Sequence, residues 1–251
     1  MDDLELAADL VQRAGAKAEK LRRKGMKVGR KANYADVVTE ADLAAEKIIV
    51  ETLQVHRPED AIVGEEGASR AGSSGRTWII DPVDGTWNFL HGLDRWCSAI
   101  ALVDAGRPVL GAIHKPRAGA TYVGGPDHGV THNGAELSPV VDEQPAVSSL
   151  ATYLHPPHYG TEVGRAWQRA VAEVSTIRML GSGSLDLISV ARGQIGAYVQ
   201  HSVPDWDWFP GVAMVLALGG DARRVHAAGV EWSVAGAPSV VAGVCAALTG
   251  R

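Results

Sequence analysis

The sequence predicts a layered α+β fold built in two halves, and three observations support this prediction. Apolar residues recur at helical spacing near the N-terminus. Short apolar runs broken by Gly and Pro, which are typical of strands, occupy residues 96–130. After a proline-rich segment at residues 138–160, helix and strand patterns alternate. The two halves are predicted as residues 1–138 and 139–251, joined in one compact unit.

The first half should begin with helices and continue as strands. Leu4, Val11 and Ala18 share one face of the first helix. Trp78-Ile79-Ile80 is predicted to be a short buried strand, and the Asp, Pro and Gly residues after it are predicted to form a turn. In chain order, the predictions are a helix over 3–23, a basic loop over 25–35, a helix over 42–52, a flexible connection over 67–76, a strand over 78–80 and an antiparallel meander over 96–130.

The second half should alternate helices and strands, because periods of 3.6 and 2 follow each other along it. The predicted elements are a helix over 162–174, a strand over 176–180, a helix over 184–192, a strand over 195–200, a helix over 207–218 and a strand over 222–226.

Composition excludes several classes of protein. The chain is 46% apolar and 21% charged, which is ordinary for a folded soluble protein. Its net charge of −5 argues against a nucleic-acid surface. The N-terminus is acidic and the longest apolar runs are too short for a bilayer, so we expect a cytoplasmic protein without membrane contact. Cys97 and Cys245 lie in apolar segments and are expected to be reduced core residues.

Carboxylates occur where turns do not require them. Five of them are predicted to lie at the ends of apolar strands, beside Gly, Pro or Trp: Glu65, Glu66, Asp81, Asp84 and Asp207. Singly, each would be interpreted as a helix cap or a solvated turn. If they converge, their mutual repulsion requires protons or bound cations. Because all the candidate ligands are oxygens, the expected cation is Mg²⁺ or Mn²⁺ rather than Zn²⁺.

Two glycine-containing stretches near these carboxylates suit an anionic ligand. In "WIIDPVDGTWNF", Gly85 permits close backbone approach, and the amides of Gly85 and Thr86 would face an anion. In "GSGS", the amides of Gly181, Ser182 and Gly183 could contact a substrate oxygen, although plain helix capping also explains such a start. Paired divalent cations bridged by carboxylates are a standard device for attack at phosphorus.

These motifs, taken in order, resemble those of the inositol monophosphatase family of Mg²⁺-dependent, Li⁺-sensitive phosphatases. The motifs are "DVVTEAD" at 36–42, "GEE" at 64–66, "DPVDGTWNF" at 81–89, "GSGS" at 181–184 and "WDWFPG" at 206–211. The resemblance covers nearly the full length. It implies a layered αβαβα sandwich like that of inositol monophosphatase and fructose-1,6-bisphosphatase, and a homodimer.

The resemblance also implies roles for individual residues. Glu65, Asp81 and the Val83 carbonyl correspond to ligands of a first metal, and Asp81, Asp84 and Asp207 to ligands of a second, with two or three ions in each active site. Asp42 and Thr86 correspond to the pair that orients and deprotonates the attacking water. Glu66 is implied to be an accessory neighbour, and Lys31 to lie in a basic loop over the site.

Three departures from the family pattern concern the substrate side. Trp87 replaces a small polar residue after "DGT", Gln200 replaces an acidic residue that contacts the polyol, and "HSVPDWD" carries His201 and an additional Asp205. Two interpretations of Trp87 remain open, namely packing beneath the turn and forming a wall of the substrate pocket.

The implied activity is hydrolysis of a small polyol or sugar-like phosphate, of inositol monophosphatase type, by metal-activated attack of water on phosphorus. Within the family, histidinol phosphate, 3′-phosphoadenosine 5′-phosphate and fructose 1,6-bisphosphate are alternative substrates. A relative that only binds a phosphate ligand is an alternative of another class. A zinc hydrolase using "HPPH", residues 155–158, is a third.

Overall fold

The computed structural model describes residues 1–25, 28–30 and 37–250. The helices of this part of the chain are α1 (Asp3–Lys24), α2 (Glu40–His56), α3 (Thr86–Leu90), α4 (Glu162–Ala172), α5 (Gly183–Ala191), α6 (Asp205–Ala217) and α7 (Pro238–Thr249). Its strands are β1 (Val28–Arg30), β2 (Val37–Thr39), β3 (Ala61–Gly64), β4 (Ser69–Arg70), β5 (Arg76–Asp84), β6 (Cys97–Asp104), β7 (Arg107–Lys115), β8 (Ala120–Gly125), β9 (Gly129–His132), β10 (Ala135–Glu136), β11 (Ser149–Thr152), β12 (Thr176–Arg178), β13 (Ala197–His201), β14 (Asp221–Ala227) and β15 (Val230–Gly236).

Two large sheets organise these strands. The first has the order β10-β9-β8-β7-β6-β5-β3-β4, and the second has the order β12-β11-β13-β15-β14. The predicted meander is confirmed, because β6, β7, β8 and β9 pair antiparallel in succession. The change from one sheet to the other falls between the end of β10 and the start of β11, inside the proline-rich segment.

The first sheet carries helices on both faces. Successive side chains of a strand point to opposite faces of its sheet, so neighbouring residues of β5 contact different helices. Trp78 and Ile80 of β5 are buried in a cluster with α1 and α2. Between them, Ile79 belongs to a different cluster, which includes Trp206 and Phe209 of α6. The central strands are therefore apolar on both faces, as expected for strands covered by two layers of helices.

The second sheet repeats this arrangement. Leu150 and Val199 cluster with α4 and α7, whereas Tyr198 and Ala235 cluster with α5 and α6. The layer order is α1 and α2, first sheet, α5 and α6, second sheet, α4 and α7. This order confirms the αβαβα sandwich that the resemblance implied. Helix α6 lies in the middle layer, where it packs against β5, β6 and β7.

Several predicted elements are confirmed with shifted ends, and two loop predictions need correction. Residues 28–30 of the predicted basic loop form β1, which pairs with β2; residues 26, 27 and 31–36 lie outside the described residues. The predicted flexible connection over 67–76 contains β4, where the guanidinium of Arg70 donates hydrogen bonds to the carbonyl oxygens of Arg57 and Asp60. The elements that the sequence analysis missed include α3, β11, β15 and α7.

The remaining composition-based predictions were about cysteines and membranes. Both Cys97 and Cys245 are buried free thiols, as predicted. Among the residues that the structure describes, none of the helices combines the length and the apolarity that crossing a bilayer requires.

Candidate metal centre and substrate cleft

The aspartates of the opening motif lie in a strand and not in a turn, contrary to the prediction. Asp81 and Asp84 both pair with β6, and a bulge lies between them. The turn comes one residue later, at Gly85, whose φ of +87° is left-handed. A β-carbon at Gly85 would also lie 2.8 Å from the carbonyl oxygen of Arg95. Glycine is therefore required where the chain leaves β5 and begins α3.

Asp207 reaches the same place from the second half of the chain. It lies in the first turn of α6 and not at a strand end, as had been predicted. One carboxylate oxygen from each of Asp81, Asp84 and Asp207 lies within 4.8 Å of the others. Two unit charges at this separation repel by roughly 1 kcal/mol in water and by roughly 3 kcal/mol at an effective dielectric of about 20.

The burial of these carboxylates makes a cation the natural partner. Asp81 is buried, and neither of its carboxylate oxygens has a hydrogen-bond partner among the described residues. Burial first, and then the charges of Glu65, Asp84 and Asp207, raise the pKa of Asp81 well above its usual value. A buried, unpartnered oxygen costs free energy unless a proton or a metal ion satisfies it. The all-oxygen donor set fits Mg²⁺ or Mn²⁺.

Asp84 is oriented by the start of another helix. Its Oδ2 accepts a hydrogen bond of 2.6 Å from the backbone N–H of Ser184 in α5. Burial raises the pKa of Asp84, and hydrogen bonds from Ser184, Ser182 and the Gly183 backbone oppose this effect. The "GSGS" segment therefore directs amides at a carboxylate of the cluster, a use that the sequence analysis did not foresee.

Glu65 and Val83 are placed next to this cluster by the sheet. Strand β3 lies parallel to β5, so their carboxyl ends reach the same edge. Glu65 follows β3, and its backbone N–H donates to the carbonyl oxygen of Ile80 at 3.0 Å. The carbonyl oxygen of Val83 accepts a hydrogen bond of 3.0 Å from the Thr86 hydroxyl. Both Glu65 and Val83 line the same cleft as the three aspartates.

Asp42 and Thr86, the pair to which the resemblance assigns the attacking water, lie in contact. Thr86 Oγ1 lies 3.4 Å from Asp42 Oδ1. The other carboxylate oxygen, Oδ2, accepts hydrogen bonds from the backbone N–H of Thr39 at 2.9 Å and from the Thr39 hydroxyl. The pKa of Asp42 is raised to about 6, because burial and, to a smaller extent, the Glu66 charge outweigh the lowering effect of the Thr39 hydrogen bonds.

A cleft of about 580 Å³ opens over the carboxylates. The other predicted residues that line it are Gly85, Thr86, Trp87, Gly181, Ser182, Gly183 and Gln200. His155 and Pro156 of the "HPPH" segment also line it, as do residues that the sequence analysis did not single out: Asn88, Tyr153, Met179, Leu180 and Asp186. The cleft thus combines residues from both halves of the chain.

Three of the four other sequence-based candidates can be assigned a place. The backbone N–H of Glu66 donates to Glu46 at 3.0 Å, and Glu66 is not among the residues that line the cleft. Lys31 lies outside the described residues. His155 and His158 flank a 3₁₀ turn, and within the described residues they belong to no group of three close metal-binding side chains.

Asn88 and Asp186 connect the two halves beside the cluster. The Asn88 amide nitrogen donates to the carbonyl oxygens of Arg95 at 2.8 Å, Leu180 at 2.8 Å and Gly181 at 3.2 Å. Asp186 forms a 2.5 Å ion pair with Arg95. Burial raises the pKa of Asp186 to about 7, against the lowering effect of Arg95. The sequence offered a signal for Asn88, because it lies inside "DGTWNF". It offered none for the contacts with Leu180 and Asp186, which join residues about 90 positions apart in the chain.

Comparison with known sequences places the chain among inositol monophosphatases. The family model described as "Inositol monophosphatase family" matches residues 2–247. A fructose-1,6-bisphosphatase/inositol-1-monophosphatase of Thermotoga maritima is 32% identical over 195 residues, which are 77% of this chain and 73% of the relative. An inositol-1-monophosphatase of Mycobacterium leprae is 32% identical over 239 residues, which are 89% of this chain and 82% of the relative.

Solved structures share the fold over nearly the whole chain. The extragenic suppressor protein suhB of Bartonella henselae superposes with a TM-score of 0.87 at 28% identity, covering 97% of each chain. The inositol monophosphatase of Thermotoga maritima gives 0.85 at 26% identity, covering 99% of this chain and 97% of the other. Because the family model spans nearly every residue and the fold agrees, the chain belongs to the inositol monophosphatase family.

Proposed function

We propose that this phosphatase is a Mg²⁺-dependent phosphomonoesterase acting on small phosphorylated alcohols. The convergence of Asp81, Asp84 and Asp207 within 4.8 Å is the observation that supports the proposal most directly. Asp42 and Thr86 meet beside the same cleft. Without cations, the clustered carboxylates would repel an anionic phosphate. Bound cations are therefore needed before this cleft can accept a phosphorylated ligand.

The proposed metal ligands are Glu65, Asp81 and the Val83 carbonyl for one ion, and Asp81, Asp84 and Asp207 for another. Bound cations would supply positive charge that polarises the phosphate and activates water for attack on phosphorus. The chain itself would position the participants. The backbone N–H of Ser184 holds Asp84 in place. Beside it, Asp186 pairs with Arg95, and the Asn88 amide holds the carbonyl oxygen of Leu180.

Asp42 is suited to accept a proton through Thr86. A carboxylate with a pKa of about 6 is mostly ionised at neutral pH, yet it is more basic than an ordinary aspartate. The Thr86 hydroxyl contacts both the Asp42 carboxylate and the Val83 carbonyl oxygen, so its proton can be directed to either. We therefore propose Asp42 and Thr86 as the groups that orient the attacking water and take up its proton.

The alcohol part of the substrate is less constrained. The relatives named inositol-1-monophosphatase, and the bifunctional Thermotoga maritima relative, support a small polyol or sugar-like phosphate. A homodimer and a cytoplasmic location, both implied by family membership, are part of the proposal. Sedimentation of the purified chain would test the dimer.

Metal removal should abolish turnover. We expect the protein treated with a chelator to release no phosphate from inositol 1-phosphate or glycerol 2-phosphate, and Mg²⁺ to restore release, because the clustered carboxylates cannot otherwise receive an anion. Calorimetric titration with Mn²⁺ provides a second readout that does not depend on turnover. Undiminished phosphate release in metal-free buffer would refute the metal dependence.

A further inference from the structure

Part of the lining of the cleft is apolar and aromatic. Trp87, Tyr153, Pro156, Met179 and Leu180 all line it. Trp87 is 52% exposed and Met179 is 41% exposed, which is unusual for large apolar side chains beside a polar site. A concave surface of this kind favours a ligand that has apolar area to bury.

Trp87 is presented as a platform and is not packed in the core. Its ring stacks on His91, with centroids 4.3 Å apart and planes inclined by 24°. His91 is held in turn by a 2.8 Å contact between its Nδ1 and the Trp87 carbonyl oxygen. Because His91 covers one face of the indole, the exposed area of Trp87 comes from the opposite face and the edges of its ring. The exposure therefore contradicts the interpretation of Trp87 as a residue packed beneath the turn.

The second half of the chain contributes further ring surface. Tyr153 and His155 lie just after β11, and their rings meet edge to face at 4.7 Å and 71°. Aromatic pairs prefer offset-stacked or edge-to-face geometries. Trp87 from the first half of the chain and the Tyr153–His155 pair from the second half therefore line the same cleft with aromatic rings.

Several polar side chains of the cleft already make hydrogen bonds or ion pairs within the protein. The Asn88 amide nitrogen is bonded to backbone carbonyls, and Asp186 is paired with Arg95. The side-chain oxygen of Gln200 accepts a 3.1 Å hydrogen bond from the Tyr198 hydroxyl. A substrate hydroxyl that approaches these groups competes with bonds that are already made, whereas an apolar ring against Trp87 does not.

We infer that the preferred substrate carries, on its alcohol portion, a planar apolar ring that lies against Trp87. This inference rests on the proposed phosphomonoesterase activity. It is argued from the residues that line the cleft and not from the names of the relatives. In the reaction, a P–O bond forms from water and the P–O bond to the alcohol breaks. The proton lost by water is balanced by the proton gained by the alcohol oxygen, so no further reactant is needed.

Benzyl phosphate and cyclohexylmethyl phosphate form a matched pair for the test. Both release a primary alcohol attached to a six-membered ring, and they differ chiefly in whether that ring is planar. We expect the wild-type kcat/KM for benzyl phosphate to exceed that for cyclohexylmethyl phosphate, and that for glycerol 2-phosphate, by roughly fivefold, the ratio that a stacking contact supports. The inhibition constants of 2-phenylethylphosphonate and 2-cyclohexylethylphosphonate should differ in the same sense.

Variants at position 87 should change this ratio. Trp87→Leu keeps an apolar side chain but removes the flat face, so the benzyl-to-cyclohexylmethyl ratio should fall to about one. Trp87→Phe should retain most of it. Tyr159→Leu removes an exposed aromatic side chain that does not line the cleft, and it should leave both rates unchanged. Melting temperatures of all variants should lie within a few degrees of wild type.

The outcomes separate this inference from the proposed function. Equal hydrolysis of both ring substrates by the wild type, or a ratio unchanged by Trp87→Leu, would overturn the planar-ring inference and leave the phosphomonoesterase assignment intact. Preferred hydrolysis of inositol 1-phosphate over benzyl phosphate would also overturn it. Absence of phosphate release from every substrate with Mg²⁺ would overturn both. If Trp87→Leu fails to fold, the wild-type phosphonate pair still decides.

Discussion

Replacing Asp84 or Asp207 with Asn is expected to lower kcat at saturating Mg²⁺ by at least about a hundredfold. Both carboxylates belong to the cluster whose oxygens lie within 4.8 Å of each other. Charge stabilisation by a bound metal contributes several kcal/mol to the transition state, and each loss of about 1.4 kcal/mol is a tenfold loss in rate. The measurement is phosphate release at increasing Mg²⁺, which separates a lower kcat from weaker metal binding.

The same variants should be more stable than the wild type when metal is removed. Neutralising one of three close carboxylates relieves repulsion that costs roughly 1 to 3 kcal/mol per pair. The melting temperature in chelator should therefore rise or stay constant while activity is lost. This combination distinguishes a lost metal ligand from a damaged fold.

Asp205→Asn is a matched control in the same helix. Asp205 is exposed and forms an ion pair of 2.8 Å with Arg224, away from the cluster. Surface ion pairs of this kind contribute about 0–1 kcal/mol, so both kcat and melting temperature should be nearly unchanged. Near wild-type kcat for Asp84→Asn or Asp207→Asn would show that the proposed second metal site is wrong.

Gly111→Ala should be strongly destabilising and should also impair the metal centre. A β-carbon at Gly111 in β7 would lie 2.0 Å from the carbonyl oxygen of Pro210 in α6. Because the obstacle is backbone, the helix must shift away from the sheet, at a cost of roughly 1–3 kcal/mol. For a protein of this size, that corresponds to a fall in melting temperature of about 3–10 °C.

The activity of Gly111→Ala should fall together with its stability, because α6 also carries Asp207. Displacement of the helix would weaken binding of Mg²⁺, which titration of activity against metal would reveal. Gly160→Ala is the control, since no heavy atom lies within 4 Å of its added β-carbon and its φ is not left-handed. Glycine-to-alanine replacement at such a site is neutral or slightly stabilising. Equal stability of the two variants would contradict this account of α6 packing.

Local patterns in the sequence were sufficient to predict most elements. Helix α1 is amphipathic, and Asp2 and Glu5 form a reciprocal cap at its start. The β6–β9 meander alternates apolar strands with Gly and Pro turns. Errors arose where pairing at a distance overrode local chemistry. Asp81 and Asp84 have turn-like neighbours, yet β6 holds them in a strand. Gly229 before β15 and Gly236 at its end are turn signals that the sequence analysis did not use.

The sequence by itself determined which residue types are available to the site and which family motifs contain them. Asp81, Asp84 and Asp207 could be recognised because carboxylates beside Gly, Pro and Trp are unusual in apolar surroundings. Their assignment as ligands of particular ions stays a prediction. The family was also accessible from sequence, since its motifs are short and contiguous.

Only the tertiary structure decided that these carboxylates meet and what surrounds them. Asp207 joins Asp81 and Asp84 because α6 lies close to β7 at Gly111, and Asp84 is held by an amide of α5. Likewise, the exposure of Trp87 depends on His91 and on the cleft formed by both halves. Contacts between residues far apart in the chain follow from how layers pack, and packing leaves no signal in the local pattern around any one of those residues.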